Sequence, residues 1–389
     1  MPEYLSPGVY VEEVDRGPKP IEGVGTAMAA FVGFTEKAEL VREVAGEMVV
    51  ENLFNRPQLV TNWTQFTERF GGFVSGAYLP QAVYGYFMNG GSRCYVVSVR
   101  TYPKAEATLL NAQGKAGLSI RARQAGVDGL KIRVRVGDLL LPAPAATSKK
   151  GSEEAAAAAE PAPVGSGEYS FNLYVEKEGN AGGWRTLETI TGIKVQTAVL
   201  DGKKQTVLAF KNNKLPKFVE VKVVEDAAIE KVMPREQEQP LLIDKKLLDA
   251  PTAGEFRGDV RERSGVEGLE VIDDITMVCV PDLMTPALGE KLNLDMIKAV
   301  QIMMIAHCER MGDRVAILDT PPDLNPQEVK KWRMDVTGFD SSYAALYYPW
   351  VKVMDPVTEM NINLPPSGHL AGIWARNDNT RGVHKAPAN

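Results

Sequence analysis

The sequence predicts an α/β core, a mixed and largely parallel sheet with flanking helices, that carries a β-rich inserted domain and an extended N-terminal arm. Three observations predict it. Short apolar runs alternate with helical segments before residue 100 and again after residue 264, which is the pattern of βαβ crossovers. Between these stretches, residues 118–123 and 131–136 alternate apolar and polar side chains strictly, the period of half-exposed strands. Ahead of both lies a short segment framed by prolines that can be neither helix nor core.

That segment, residues 1–20, is the arm. Pro7 and Gly8 open it, and Val9 and Val11 alternate with Tyr10 and Glu12 in a strand that runs on through Glu13 and Val14. Asp15-Arg16-Gly17-Pro18-Lys19-Pro20 closes it with a stiff, non-helical linker. A strand this short needs a sheet to join. Fifteen extended residues reach roughly 50 Å, enough to cross into a neighbouring molecule.

Residues 21–100 form the first part of the core. The run Ala29-Ala30-Phe31-Val32 reads as a buried strand, and residues 39–60 as a mixed connector. A helix over 64–70 is stopped by Gly71-Gly72, and a second over 79–88 by Gly90-Gly91. A strand follows over 93–99. Residues 101–263 read as the insertion. Its strands lie at 118–123 and 131–136, joined by a turn around Gly126 to Gly129, then at 169–175, 206–210 and 218–224. The tract 142–167, rich in Ala, Pro, Ser, Lys and Glu, lacks the hydrophobicity to fold by itself and is expected to be weakly ordered.

Residues 264–389 return to the core: a strand at 275–280, an amphipathic helix over 294–311, and a strand at 315–318. A helix capped by Asn325 and Pro326 follows, then a strand-like run at 343–350 and a last helix at 367–376.

Composition narrows the function classes. The 389 residues carry a net charge of −6, with 44% hydrophobic and 24% charged residues, ordinary for a globular protein. Nucleic acid is not an expected partner, because phosphate binding needs a basic stripe. The basic residues from Lys131 to Arg135 alternate with apolar ones as on a solvated strand face. No apolar run is long enough to span a membrane, so direct membrane insertion is not expected. The start of the chain has neither a basic region nor an apolar h-region, and synthesis and folding in the cytoplasm are the expectation. The three cysteines, Cys94, Cys279 and Cys308, read as buried free thiols.

Little in the chain has the form of a catalytic or cofactor site, and no catalytic residue, cofactor or metal site is assigned. Gly23-Val24-Gly25 opens a dinucleotide fingerprint but lacks its third glycine and its helix. The three histidines, His307, His369 and His384, stand in no metal-ligand spacing. Asp282 and Asp319 are the strongest candidates, since each follows an apolar strand, where α/β enzymes place their chemistry. An α/β enzyme with a β insertion, using these two carboxylates, is the alternative functional reading. The plainer one has Asp319 and Thr320 making turn hydrogen bonds before Pro321-Pro322.

Several blocks taken in order carry more. Leu5-Ser6-Pro7-Gly8-Val9-Tyr10-Val11-Glu12-Glu13-Val14 leads to Pro20-Ile21-Glu22-Gly23-Val24-Gly25-Thr26 and Ala30-Phe31-Val32-Gly33. Val60-Thr61-Asn62-Trp63 with Phe70-Gly71-Gly72, and Asn89-Gly90-Gly91 with Cys94-Tyr95-Val96-Val97, come next. Later come Ile272-Asp273-Asp274-Ile275, Val280-Pro281-Asp282, Ala316-Ile317-Leu318-Asp319-Thr320-Pro321, Tyr347-Tyr348-Pro349-Trp350 and Pro365-Pro366-Ser367-Gly368-His369. Arg381-Gly382-Val383-His384-Lys385-Ala386-Pro387-Ala388-Asn389 closes the series. Over about 1–100 and 265–389 the chain resembles the tail sheath family of contractile phages and phage-derived injection systems.

The resemblance implies a non-enzymatic structural subunit that stacks with other copies of itself in helical rings around an inner tube. Baseplate and terminal cap proteins would be the further partners. It implies that residues Val9, Tyr10, Val11, Glu12, Glu13 and Val14 form an inter-subunit strand, and that the insertion faces outward. Family members continue beyond the Lys-Ala-Pro-Ala-Asn segment into a domain that holds the tube, so a further domain is expected after residue 389.

Overall fold

The computed structural model describes residues 27–44, 47–141, 169–179, 182–200, 203–211, 214–225, 227–244, 249–286, 291–356 and 359–387. The expected arm strand and the whole of the tract 142–167 lie outside these residues.

The chain mixes helices with a multi-stranded sheet. It enters through β1 (Ala29–Thr35) and makes a hairpin of β2 (Glu39–Val44) and β3 (Glu47–Asn52). It then runs through β4 (Gln58–Val60), α1 (Trp63–Phe70), β5 (Val74–Ser75), α2 (Leu79–Met88) and β6 (Cys94–Thr101). Asn62 caps α1 by accepting from the Gln65 amide at 2.9 Å, and Gly71 at φ 83° ends it. The expected connector at 39–60 is therefore two paired strands and an edge strand.

Residues 101–263 hold β7 (Glu106–Leu110), β8 (Ala116–Ala122), β9 (Ala125–Gly126), β10 (Ile132–Leu140), β11 (Tyr169–Glu178), β12 (Trp184–Leu200), β13 (Lys203–Ala209) and β14 (Val219–Val223). After them come α3 (Ile229–Val232), β15 (Gln237–Pro240) and α4 (Ala253–Arg257). An antiparallel sheet of order β13-β12-β11-β10-β15 and a smaller one of order β14-β8-β7 share a core of Leu118, Ile120, Val134, Phe171, Leu173 and Val175. The runs at 118–123 and 131–136 form β8 and β10, which lie in different sheets: β8 pairs with β7 and β14, whereas β10 pairs with β11 and β15. The 17-residue β12 was not anticipated.

The core resumes with β16 (Met277–Cys279), α5 (Leu294–Met311), β17 (Val315–Asp319), α6 (Pro326–Lys331), β18 (Ala344–Tyr347), a hairpin of β19 (Val351–Met354) and β20 (Asn361–Leu364), and α7 (Ser367–Arg381). α6 begins with a capping box between Asn325 and Glu328 and Pro326 in its first turn, as its sequence predicts. The six-stranded core sheet has the order β18-β17-β16-β1-β6-β4. All its neighbours are parallel except β4 on β6.

All seven residues of β1 are buried, as befits a central strand covered on both faces. On one face Met28, Ala30, Val32 and Phe34 pack with Ile297, Val300, Met304 and Cys308 of α5 and with Phe256 of α4. On the other, Ala29 and Phe31 meet Phe66 and Phe70 of α1, Leu79, Val83 and Tyr86 of α2, and Ala371 and Ala375 of α7. α2 and α7 lie unusually close. A Cβ at Gly368 would stand 2.5 Å from the Cα of Ala82, and one at Gly372 2.5 Å from the carbonyl oxygen of Tyr86. The absence of side chains there lets the two backbones touch.

Candidate functional site

The two carboxylates singled out in the sequence stand where expected, at the carboxyl ends of β16 and β17, and both are almost wholly buried. What surrounds them is backbone. Asp282 Oδ2 accepts from the Phe34 amide at 2.6 Å and the Leu79 amide at 3.3 Å. Its Oδ1 accepts from the Tyr78 amide and from Thr285 Oγ1 at 3.2 Å. Tyr78 and Leu79 open α2, so the carboxylate caps that helix and ties it to β1. Gly33 makes room, since a Cβ there would lie 2.3 Å from Asp282 Oδ2.

Asp319 plays the same part for α7. Its Oδ1 accepts from the Ser367 amide at 2.8 Å and its Oδ2 from Ser367 Oγ at 2.6 Å. The expected local turn is replaced by a tie to a helix 48 residues away in sequence. Both acids sit at helix N-termini, where the exposed amides and the helix dipole favour negative charge. Burial still pushes each carboxyl up, to about 7 for Asp282 and about 7 for Asp319, against the opposing pull of these hydrogen bonds. Every oxygen of the pair is engaged by a protein donor, an arrangement that anchors helices rather than one that holds a substrate.

Among the described residues, no group of three or more His, Cys, Asp or Glu side chains could hold a metal ion. His307 is buried on α5, and burial, with Arg314 and Arg310 nearby, pushes its pKa down to about 4. The His369 ring lies against Gly85, where an added Cβ would meet it at 2.6 Å, and His384 is exposed. Cys94, Cys279 and Cys308 are free and buried, and burial pushes the Cys308 thiol up to about 12. Arg314, also buried, donates to the carbonyls of Leu269 and Ile272 at 2.9 Å each and so fastens that loop beside β17. Gly23-Val24-Gly25 and Val9, Tyr10, Val11, Glu12, Glu13 and Val14 lie outside the described residues.

The surface carries features that the sequence reading passed over. The β2–β3 hairpin exposes Val41, Met48, Val49 and Val50. A cleft of about 700 Å³ between core and insertion is lined by Glu36, Phe73, Lys104, Arg123, Asp128 and Lys177. A smaller groove of about 230 Å³ at the end of α7 is lined by Ile373, Arg376, Asn377, Thr380, Arg381 and Lys385. The sequence signal for the hairpin was weak: two short valine-bearing segments, 39–44 and 47–52, on either side of Ala45-Gly46. No helix among the described residues is long and apolar enough to cross a membrane.

Residues 273–389, from just before β16 to beyond α7, match the family model described as the phage tail sheath protein central domain. No curated protein matches the chain. Among solved structures, the sheath tail protein from Desulfitobacterium hafniense aligns over 94% of this chain and 62% of its own, at 11% identity and a TM-score of 0.38. A chain of the anti-feeding prophage baseplate aligns over 99% and 56%, at 15% identity and a TM-score of 0.37. A chain of the contracted sheath complex of PVC, an extracellular contractile injection system, aligns over 100% and 55%, at 15% identity and a TM-score of 0.38. The chain thus spans between 55% and 62% of the length of these structures.

Proposed function

We propose that this chain is a structural subunit of a helical contractile sheath, of the kind found in phage tails and phage-tail-like injection systems. The observation that carries the reading is the match of residues 273–389 to the phage tail sheath protein central domain. The site geometry supports it: the two strand-end carboxylates are spent on holding α2 and α7 to the sheet, which suits a body that must move rigidly.

In this reading residues 21–100 and 264–389 form the load-bearing body, and residues 101–263 form an outward-facing insertion. The arm strand of Val9, Tyr10, Val11, Glu12, Glu13 and Val14 joins the sheet of a neighbouring copy by strand addition. Copies stack in rings around an inner tube, between a baseplate and a terminal cap. Contraction then follows from inter-subunit surfaces that pack better in the short state than in the long one. Assembly takes place in the bacterial cytoplasm.

The test is sedimentation and electron microscopy of the chain expressed with its neighbouring genes. Rods or tubes containing it are the expected result. A small particle that never enters a larger assembly would overturn the proposal.

A further inference from the structure

We infer that the β2–β3 hairpin of one copy docks in the basic groove at the end of α7 of a second copy. The inference rests on reading the chain as a self-assembling subunit and names a surface that would do the assembling.

The hairpin is a two-stranded sheet, paired within the described residues to nothing but itself. One face of it is tied to the body through Leu40, which packs on the cluster around Phe66 and Phe70. Its register pairs Glu39 with Asn52, Val41 with Val50 and Glu43 with Met48, so these six side chains share a face. That face is exposed, with Val41 at 44%, Val50 at 59% and Met48 at 69% of full accessibility. It is an apolar strip flanked by acids. Among the described residues, neither Glu39 nor Glu43 has an ion-pair partner, whereas Glu51 on the opposite face is paired with Arg42 at 3.3 Å.

The groove has the complementary character. Ile373 supplies an apolar lining and Arg376 and Arg381 the charge, with no carboxylate among the described residues of its wall. Neither arginine is ion-paired among the described residues, and both are exposed. Two loose acids flanking an apolar strip match two loose guanidiniums beside an apolar lining, and Arg is the cation suited to interfacial carboxylates.

Topology decides that the partner is another copy. The hairpin leaves from the carboxyl end of β1, just after Thr35. α7 starts at that same edge, where Asp319 holds Ser367, and runs beside α2 to the opposite edge. There Arg376 packs on Gly90, where an added Cβ would lie 2.7 Å from the arginine Cβ. The 15 residues of α7 span about 22 Å, so hairpin and groove lie at opposite ends of the body. A contact between unlike ends of identical molecules is heterologous and propagates into rings or helices.

Charge reversal with complementation tests this. The variants Glu39→Lys/Glu43→Lys and Arg376→Glu/Arg381→Glu are each compared with the parent by sedimentation velocity across a concentration series. Circular dichroism melts check that each variant stays folded. Each variant alone is expected to need at least about tenfold more protein to associate, since like charges are brought together. An equimolar mixture of the two is expected to regain association, because both contacts between unlike variants, positive hairpin on negative groove and negative hairpin on positive groove, are opposite in sign. Folded variants that associate as the parent does, or a mixture that stays as weak as its components, would overturn the docking and leave the sheath reading standing. A parent that remains monomeric throughout and builds no tubes with its neighbouring genes would overturn both.

Discussion

Asp282 and Asp319 share a location and a burial but differ in who donates to them, and the difference has a measurable consequence. Both oxygens of Asp282 face backbone amides. An amide nitrogen put in place of either oxygen would oppose an N–H donor. Asp282→Asn is therefore expected to destabilise the fold by about 2–3 kcal/mol, the range for stranding buried donors. At Asp319 one oxygen faces the Ser367 amide and the other a hydroxyl, which can reverse its role. Asp319→Asn should cost less than about 1 kcal/mol, and urea unfolding of the two variants side by side will show whether that order holds. The same groups set a pH trend. Their carboxyls titrate at about 7 in the fold against an ordinary value of 3.8, so the native state binds the proton more tightly than the unfolded chain does. Their contribution to stability is fully present below about pH 4 and is lost as pH rises through about 7. Melting temperature should thus fall between pH 5.5 and pH 8, and the slope should flatten in Asp319→Asn. A slope unchanged in that variant would assign the trend to other groups.

Among the elements, those whose ends are written in local chemistry were legible in the sequence. α5 was expected over 294–311 and forms over that span, because Asn293 caps its first amides and Gly312 at φ 72° ends it. α2 likewise stops ahead of Gly90. The β12 strand and the β2–β3 hairpin escaped for a common reason: neither has a clean buried face to impose a period of two. β12 runs Thr189-Ile190-Thr191-Gly192 through a bulge, and the hairpin shows valines on both sides. The positions of Asp282 and Asp319 were legible, but their duty was not, since the amides they bind lie as far as 248 residues away in sequence. The α2–α7 contact yields a prediction at this scale. Gly372→Ala must push the helices apart and is expected to cost about 1–3 kcal/mol. Gly254→Ala in α4 meets nothing closer than 3.9 Å and should be neutral or stabilising by up to about 1 kcal/mol. Equal thermal shifts for the two would show that the helix contact is looser than its geometry.

For the whole molecule, the proposed division into body, arm and insertion makes separate demands on assembly. Deleting residues 1–18 should leave a folded protein, because β1 is covered on both faces by α1, α2, α4, α5 and α7, yet one that no longer forms tubes. Normal tubes from the truncated chain would refute the arm's role. Replacing residues 147–164 by a short linker should leave both folding and tubes intact, and a loss of tubes would show that this tract is an interface. The closeness of α2 and α7 carries one more consequence for the body as a whole. Two helices whose backbones touch, each pinned at the same sheet edge by a buried carboxylate, form a single strut. In the proposed sheath, a load arriving at the Arg376 end would pass lengthwise to the ends of β16 and β17, where α2 and α7 are hydrogen-bonded to Asp282 and Asp319. In the proposed sheath that strut would be a thrust line, ending at the buried carboxylates on which α2 and α7 rest.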